Sequence, residues 1–393
     1  MRTFFRTIRE FCRRVDPVLF FATLGLSVIG LVTVVGCLWG EYASLGRALR
    51  SSAFLMQIAM TLFGTVCMFV IANMDYRVIV DKFWIIMLVA SAGLLAVTLV
   101  FGSSGETIET SNKSWLRIPG IGINVQPSEF VKITFICTFA KHLSLVRDQI
   151  NRPLVLLGLG AHAGVIVGLI LLSGDLGVAL VYMGIVLVML FCAGLSLWYY
   201  VGAGGILALL FPYLWEKLRT DQKERIIYGF NPEGDPLNKG FQPLMSRRAI
   251  ANGGVFGRGI RGGTYYQNLT TGRLTDYIFA AICEKFGFFG GLLVIGVFVV
   301  VVARLVMICS RNGAGYGKFI CVGIAAMVLV QTLESVGMCL AMMPVIGITL
   351  PFISCGGSSV LATYLLFGFA QSVYVHSGPG DRFSESFRLR ARA

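Results

Sequence analysis

Charge is scarce in this sequence. Lysine, arginine, aspartate and glutamate together make up 13% of its 393 residues, against about 25% in a soluble globular domain. That shortage excludes a soluble enzyme, a disordered chain and a nucleic-acid-binding domain. Histidine is rarer still. His142, His162 and His376 lie too far apart in sequence for a local metal motif, so a histidine-based zinc site is not expected. Ten cysteines occur, but no two form a Cys-x-x-Cys. Most, such as Cys67, Cys192 and Cys321, sit in apolar runs and read as small apolar fillers rather than a disulfide framework. There is no GxxxxGK[ST] or GxGxxG phosphate loop in the right context and no repeat at a fixed period, so ATP-driven chemistry has no support.

Apolar residues, at 56%, and 47 glycines take the place of charge, with a mean hydropathy of +0.78. This balance predicts an all-α polytopic membrane protein, a class in which glycine is commoner than in soluble helices. A hydrocarbon core needs about 20 apolar residues per helix. Ten runs qualify, over about residues 17–40, 53–73, 83–101, 129–146, 153–172, 175–192, 198–215, 278–303, 317–341 and 351–375. Arg2, Arg6, Arg9, Arg13 and Arg14 precede the first run like a signal-peptide n-region. The run is long and lacks an obvious cleavage site, so it reads as a retained span.

The net charge of +13 orients these spans. With the N-terminus in the cytoplasm, inner segments hold seventeen basic residues and the outer segments before residue 216 hold four, Arg47, Arg50, Lys113 and Arg117. The positive-inside rule then puts both termini in the cytoplasm. Three regions follow: a basic N-terminus over 1–16, a membrane domain over 17–375 and a basic tail over 376–393, held most simply at anionic lipid. Two outer segments are long, about 102–128 and 216–277. The second mixes ten basic and six acidic residues with glycines and apolar anchors such as Ile226, Ile227 and Phe256. That mixture predicts a packed or re-entrant cap rather than a linker.

Charges within spans are costly and therefore informative. Glu129 and Lys132 open the fourth run three residues apart, which puts them on one helix face. They form either a structural ion pair or part of a substrate cavity. Asp175, between two apolar runs, is either a helix cap or a polar group lining a central cavity. Asp276 stands just before the eighth run, where it or Thr275 can cap a helix. Glu284 and Lys285 are adjacent and so take different partners. Glu334, in the ninth run, has to be buried in protein, paired or protonated. Gly356-Gly357-Ser358-Ser359 implies close helix packing or a broken helix facing a cavity.

The order of these segments resembles a known family. Lys113-Ser114-Trp115-Leu116-Arg117 and Gln126-Pro127-Ser128-Glu129-Phe130-Val131-Lys132 resemble the signature of the SEDS proteins (shape, elongation, division and sporulation; RodA-, FtsW- and SpoVE-like). Asp175-Leu176-Gly177, Asn231-Pro232 with Asp235-Pro236, Thr275-Asp276-Tyr277, Pro344-Val345, Leu350-Pro351-Phe352 and Gly356-Gly357-Ser358-Ser359 follow in family order. The resemblance covers about residues 17–375. It departs from the usual pattern at Gly174, where the family has proline, at Leu274, where it has histidine, and at Cys355, where it has tyrosine.

The resemblance implies a peptidoglycan glycosyltransferase of the bacterial cytoplasmic membrane that polymerises lipid II at the outer face, partnered by a class B penicillin-binding protein. The acceptor's 4-hydroxyl attacks the donor's anomeric carbon, undecaprenyl diphosphate leaves, and a β-1,4 linkage forms with inversion. Asp276 matches the family's catalytic aspartate and suits a general base. The family match supports Lys132 as a cation for the diphosphate. Arg247, Arg248 and Arg258 are offered on charge alone, and a divalent cation, Mg or Mn, can assist. Trp115 offers a face for a sugar or lipid edge. Glu129, Asp175, Ser246, Ser358 and Ser359 complete the candidate substrate contacts, and membrane lipid is a further partner. Two other readings remain open from the residues: a catalytically weak scaffold for the penicillin-binding protein, and a flippase for lipid-linked precursors.

Overall fold

In lipid a backbone has to satisfy its own hydrogen bonds, so long apolar runs become helices. The computed structural model describes residues 15–103, 113–117, 124–269, 272–311 and 315–376. The N-terminal arginines and the tail beyond His376 lie outside the described residues. The helices are α1 (Pro17–Tyr42), a short α2 (Leu45–Leu49), α3 (Ser52–Asn73), α4 (Tyr76–Phe101), α5 (Pro127–Val146), α6 (Pro153–Leu172), α7 (Leu176–Ala193), α8 (Leu197–Lys217), α9 (Thr220–Phe230), α10 (Phe241–Gly253), α11 (Ile278–Arg311), α12 (Gly317–Cys339) and α13 (Gly357–His376). Two-residue strands, β1 (Leu116–Arg117) and β2 (Asn124–Val125), pair antiparallel in the segment before α5.

Among the described residues nine helices are long and apolar enough to cross a membrane. They are α1, α3, α4, α6, α7, α8, α11, α12 and α13. α5 has 20 residues but carries Glu129, Lys132 and Lys141, which sets it apart from those nine. α5, α12 and α13 are the most enclosed helices, while α8 has no buried residue.

Three span boundaries differ from the sequence expectation, each for a local reason. α4 starts at Tyr76 rather than near residue 83, because the Asp75 side chain accepts from the Arg77 amide at 3.0 Å and caps the helix there. α11 is broken at Gly287, whose φ of 70° and ψ of −165° are not helical. A Cβ at Gly287 would lie 2.4 Å from the Gly257 nitrogen, so only glycine lets these two backbones meet. α13 starts at Gly357 rather than near residue 351.

Residues 341–356 form an irregular stretch before α13. Pro344, Gly347 and Pro351 interrupt any helix there, and Gly347 has a φ of 69°. Such backbone is tolerated at membrane depth only when buried in protein. Here Ile346, Ile348, Leu350, Phe352 and Ile353 are buried. The stretch also borrows partners from elsewhere in the fold. The Val345 amide donates to the Arg225 carbonyl at 3.1 Å, and the Cys355 amide donates to the Leu274 carbonyl at 2.7 Å.

The segment between α8 and α11 is packed onto the bundle. Ser246 Oγ donates to the Cys339 carbonyl at 2.8 Å, and Gly253 lies so close to the Cys283 carbonyl that a Cβ would clash. Glu284 and Lys285 pull the same segment down with different partners. Glu284 accepts from the amides of Thr264, Tyr265 and Tyr266 and from Asn252 Nδ2, at 2.7–3.0 Å. Lys285 Nζ donates to the carbonyls of Gly36, Ile260 and Gly262 and sits 4.0 Å from the centre of the Tyr266 ring. Each buried charge is thus met by several opposite dipoles, which a buried ion requires.

Candidate active site

Asp276 ends the turn that leads into α11. The turn is closed by the Tyr277 amide on the Gly272 carbonyl at 2.8 Å. Its main chain is held from two sides. Ser354 Oγ donates to the Thr275 carbonyl at 2.7 Å, and the Cys355 amide takes the Leu274 carbonyl. The Asp276 carboxyl lies against Gly347, where a Cβ would be 3.2 Å from Oδ2. The residue is half-buried. Burial raises its pKa to about 6. The Thr275 hydroxyl and the Arg225 guanidinium oppose that shift, and the Asp175 carboxylate adds to it.

Asp175 caps α7, its Oδ1 accepting from the Val178 amide at 3.1 Å. Its Oδ2 accepts from Gln126 Nε2 at 3.1 Å, and the Gln126 amide donates to Ser358 Oγ at 3.3 Å. Burial lifts the Asp175 pKa, the Val178 amide opposes this, and the Glu129 carboxylate adds to it. The same residue lines a pocket with Asp221, Gln222, Arg225 and Ile346. The cap and cavity readings of Asp175 therefore describe one arrangement.

Glu129 and Lys132 pair at 2.9 Å with both side chains buried. Trp115 is half-exposed, and its main chain pairs with Ser103. Its neighbour Lys113 donates from its amide to the Ser173 carbonyl at 3.0 Å, which sets this strand beside the turn that carries Asp175. Ser359 Oγ contacts Thr349 Oγ1 at 2.8 Å. These residues, with Gln126 and Ser358, surround one end of the bundle together with Asp276.

The α10 candidates are placed differently. Ser246 is buried, and its hydroxyl is used on Cys339. Arg247 and Arg248 are exposed, Arg247 lying 4.0 Å from Glu233. Arg258 is also exposed and bonds Asn252. Glu334 is half-buried in α12, and its Oε2 is enclosed without a hydrogen-bond partner among the described residues. No group of three His, Cys, Asp or Glu side chains among the described residues could hold a metal ion. The donor set therefore does not fit a cation bound by protein alone.

Sequence reasoning passed over Arg225. It stands on α9, lines the pocket beside Asp175 and acts electrostatically on Asp276. A signal for it was present. Asp221 with Arg225 and Gln222 with Ile226 are four residues apart, which sets each pair on one side of a helix, and the structure turns all four to the pocket.

The chain is similar to known proteins over most of its length. Residues 17–378 match the FtsW/RodA/SpoVE family model, described as "Cell cycle protein". The stage V sporulation protein E of Bacillus subtilis is 32% identical over 92% of this chain and 97% of its own length. The probable peptidoglycan glycosyltransferase FtsW of Trichlorobacter lovleyi is 30% identical over 91% of this chain and 92% of its own. A solved chain from "Structural coordination of polymerization and crosslinking by a peptidoglycan synthase complex" superposes with a TM-score of 0.77 at 27% identity, covering 92% of this chain and 97% of that one. The chain belongs to the FtsW/RodA/SpoVE family and is a multi-pass protein of the bacterial cytoplasmic membrane.

Proposed function

We infer that this protein is a peptidoglycan glycosyltransferase that polymerises lipid II with Asp276 as general base. The reading is supported by relatives named for that activity and by one observation above all. A half-buried carboxyl with a pKa of about 6 shares its surroundings with a second carboxyl, Asp175, and a cation, Arg225. A base with a pKa near the working pH is ionised often enough to act and basic enough to take a proton.

In this reading the long segment between α8 and α11 faces outward, as the distribution of basic residues predicts. The acceptor's 4-hydroxyl approaches Asp276, which takes its proton as the oxygen bonds to the donor's anomeric carbon. The C1–O bond to the diphosphate breaks on the opposite face, giving a β-1,4 linkage with inversion and undecaprenyl diphosphate as leaving group. Arg225, which lines the pocket beside Asp175, is a cation available to the departing diphosphate. Lys132 is a reserve cation, because a diphosphate can compete with Glu129 for it. Asp175, fixed by Gln126, orients a sugar hydroxyl, while Trp115, Ser358 and Ser359 border the same region. No step is routed through a metal ion. The neighbouring solved structure concerns polymerisation together with crosslinking, which supports a class B penicillin-binding protein as partner.

Replacing Asp276 with Ala or Asn tests this reading. The variant should melt like the wild type and make no glycan. Polymer made at the wild-type rate would overturn the assignment.

A further inference from the structure

Residues 272–277 carry the base on a turn, and a turn alone does not hold a side chain to the tolerance that catalysis demands. A displacement of about 1 Å can cost roughly 100-fold in rate. The turn is held by the irregular stretch before α13, and that stretch is held by α3.

Ser354 is the joint. Its hydroxyl hydrogen goes to the Thr275 carbonyl at 2.7 Å, and its oxygen accepts from the Leu350 amide at 2.8 Å. The Ser354 carbonyl accepts from Gln57 Nε2 at 3.2 Å. Ser354 is 2% exposed and Gln57 is fully buried, so water cannot replace either partner. Thr275 directly precedes Asp276, so holding its carbonyl holds the main chain that carries the carboxyl. The Cys355 amide and the Leu274 carbonyl form a parallel tie. It is made by the backbone alone, so substituting Ser354 removes one tie and leaves the other.

We propose that Ser354, braced by Gln57 of α3, is a positioning residue that holds Thr275 and Asp276 in the geometry needed for proton abstraction. This rests on the reading of Asp276 as the base. A hydroxyl that spends its donor on one segment and its acceptor on another fixes their separation, and alanine can do neither. Removing it frees the carbonyl before Asp276 and loosens the turn that carries the carboxyl.

The test is steady-state polymerisation of lipid II by the full chain with its penicillin-binding protein, using Ser354→Ala, Ser354→Thr and Gln57→Leu. Ser354→Ala should lower kcat roughly 10- to 100-fold and leave the KM for lipid II within about twofold, because the joint touches no substrate. The acid limb of its pH–rate profile should move, since a loosened turn changes both the burial and the hydrogen bonding that set the carboxyl. Ser354→Thr keeps the hydroxyl and should restore both, while Gln57→Leu should shift both in the same direction by less. Wild-type kcat and acid limb in a folded Ser354→Ala protein would overturn the proposal. So would a loss of rate accompanied only by a lower melting temperature. If Ser354→Ala does not fold, Gln57→Leu reads the same joint one bond further away.

An infrared titration of the Asp276 carboxyl, taken as the difference from Asp276→Asn, separates this proposal from the reading beneath it. If the wild type makes no polymer, the base assignment fails. A midpoint displaced in Ser354→Ala and restored in Ser354→Thr would still establish the joint, and an unmoved midpoint would reject it.

Discussion

The side-chain amide of Gln126 donates to Asp175 Oδ2 at 3.1 Å. Gln126 is the residue before α5, Asp175 is the residue before α7, and the Gln126 amide also reaches Ser358 at the start of α13. Its side chain takes Asp175 and its main chain takes Ser358, so this one residue ties together three helix starts. Asp175 gains a hydrogen bond from it and no counter-charge, which leaves its negative charge for a substrate.

Gln126→Ala should slow polymerisation at least tenfold, because a hydrogen bond to a charged group contributes about 1.5–3 kcal/mol. Gln126→Glu should be worse, since it sets a second carboxylate against Asp175. Rates from fluorescent lipid II decide this. A Gln126→Glu enzyme as fast as Gln126→Ala would mean that Asp175 carries no charge during turnover.

The rate should depend on pH through Asp276, whose pKa is raised to about 6. A base acts only when ionised, so kcat should fall as pH drops through about 6. Arg225 opposes that rise, so Arg225→Ala should move the acid limb to higher pH and Arg225→Lys should move it less. A limb that stays in place in Arg225→Ala would remove Arg225 from the surroundings of the base.

Glu284 answers four donors and Lys285 answers three carbonyls. An unsatisfied buried group costs about 1–3 kcal/mol, so Glu284→Ala and Lys285→Ala should each lower the melting temperature sharply in detergent. Glu284→Gln keeps part of the acceptor set and should lower it less. Equal melting for Glu284→Gln and Glu284→Ala would show that the donors are answered elsewhere.

Gly287→Ala should abolish assembly rather than slow the reaction. Its φ of 70° is strained for any side chain, and the Cβ would meet the backbone at Gly257 and Val255. Yield of folded protein on size exclusion reads this directly. A well-folded variant would contradict the close approach of these two backbones.

Much of the fold was legible because apolar run length is a one-dimensional property. The capping role of Asp175 and the pairing of Glu129 with Lys132 follow from local spacing in the same way. The break at Gly287 was not legible, because it lies inside an apolar run that scores like an unbroken helix. Residues 351–356 fall inside the expected last span for the same reason, although Pro351 marks them. Gln57, Gln126, Arg225 and Ser354 were missed as site residues because their partners are distant in sequence. Ser246 shows the converse: it is a candidate substrate contact by sequence, while its hydroxyl is turned to the Cys339 carbonyl.

The central claim is that this chain polymerises lipid II and that Asp276 is its base. The most direct measurement is a gel of the products formed from fluorescent lipid II by the purified protein, alone and with its co-purified class B penicillin-binding protein, beside the Asp276→Asn variant. The wild type should give a ladder of glycan chains and a folded Asp276→Asn protein none. The absence of a ladder from the wild type with its partner present, or an equal ladder from the variant, would contradict it.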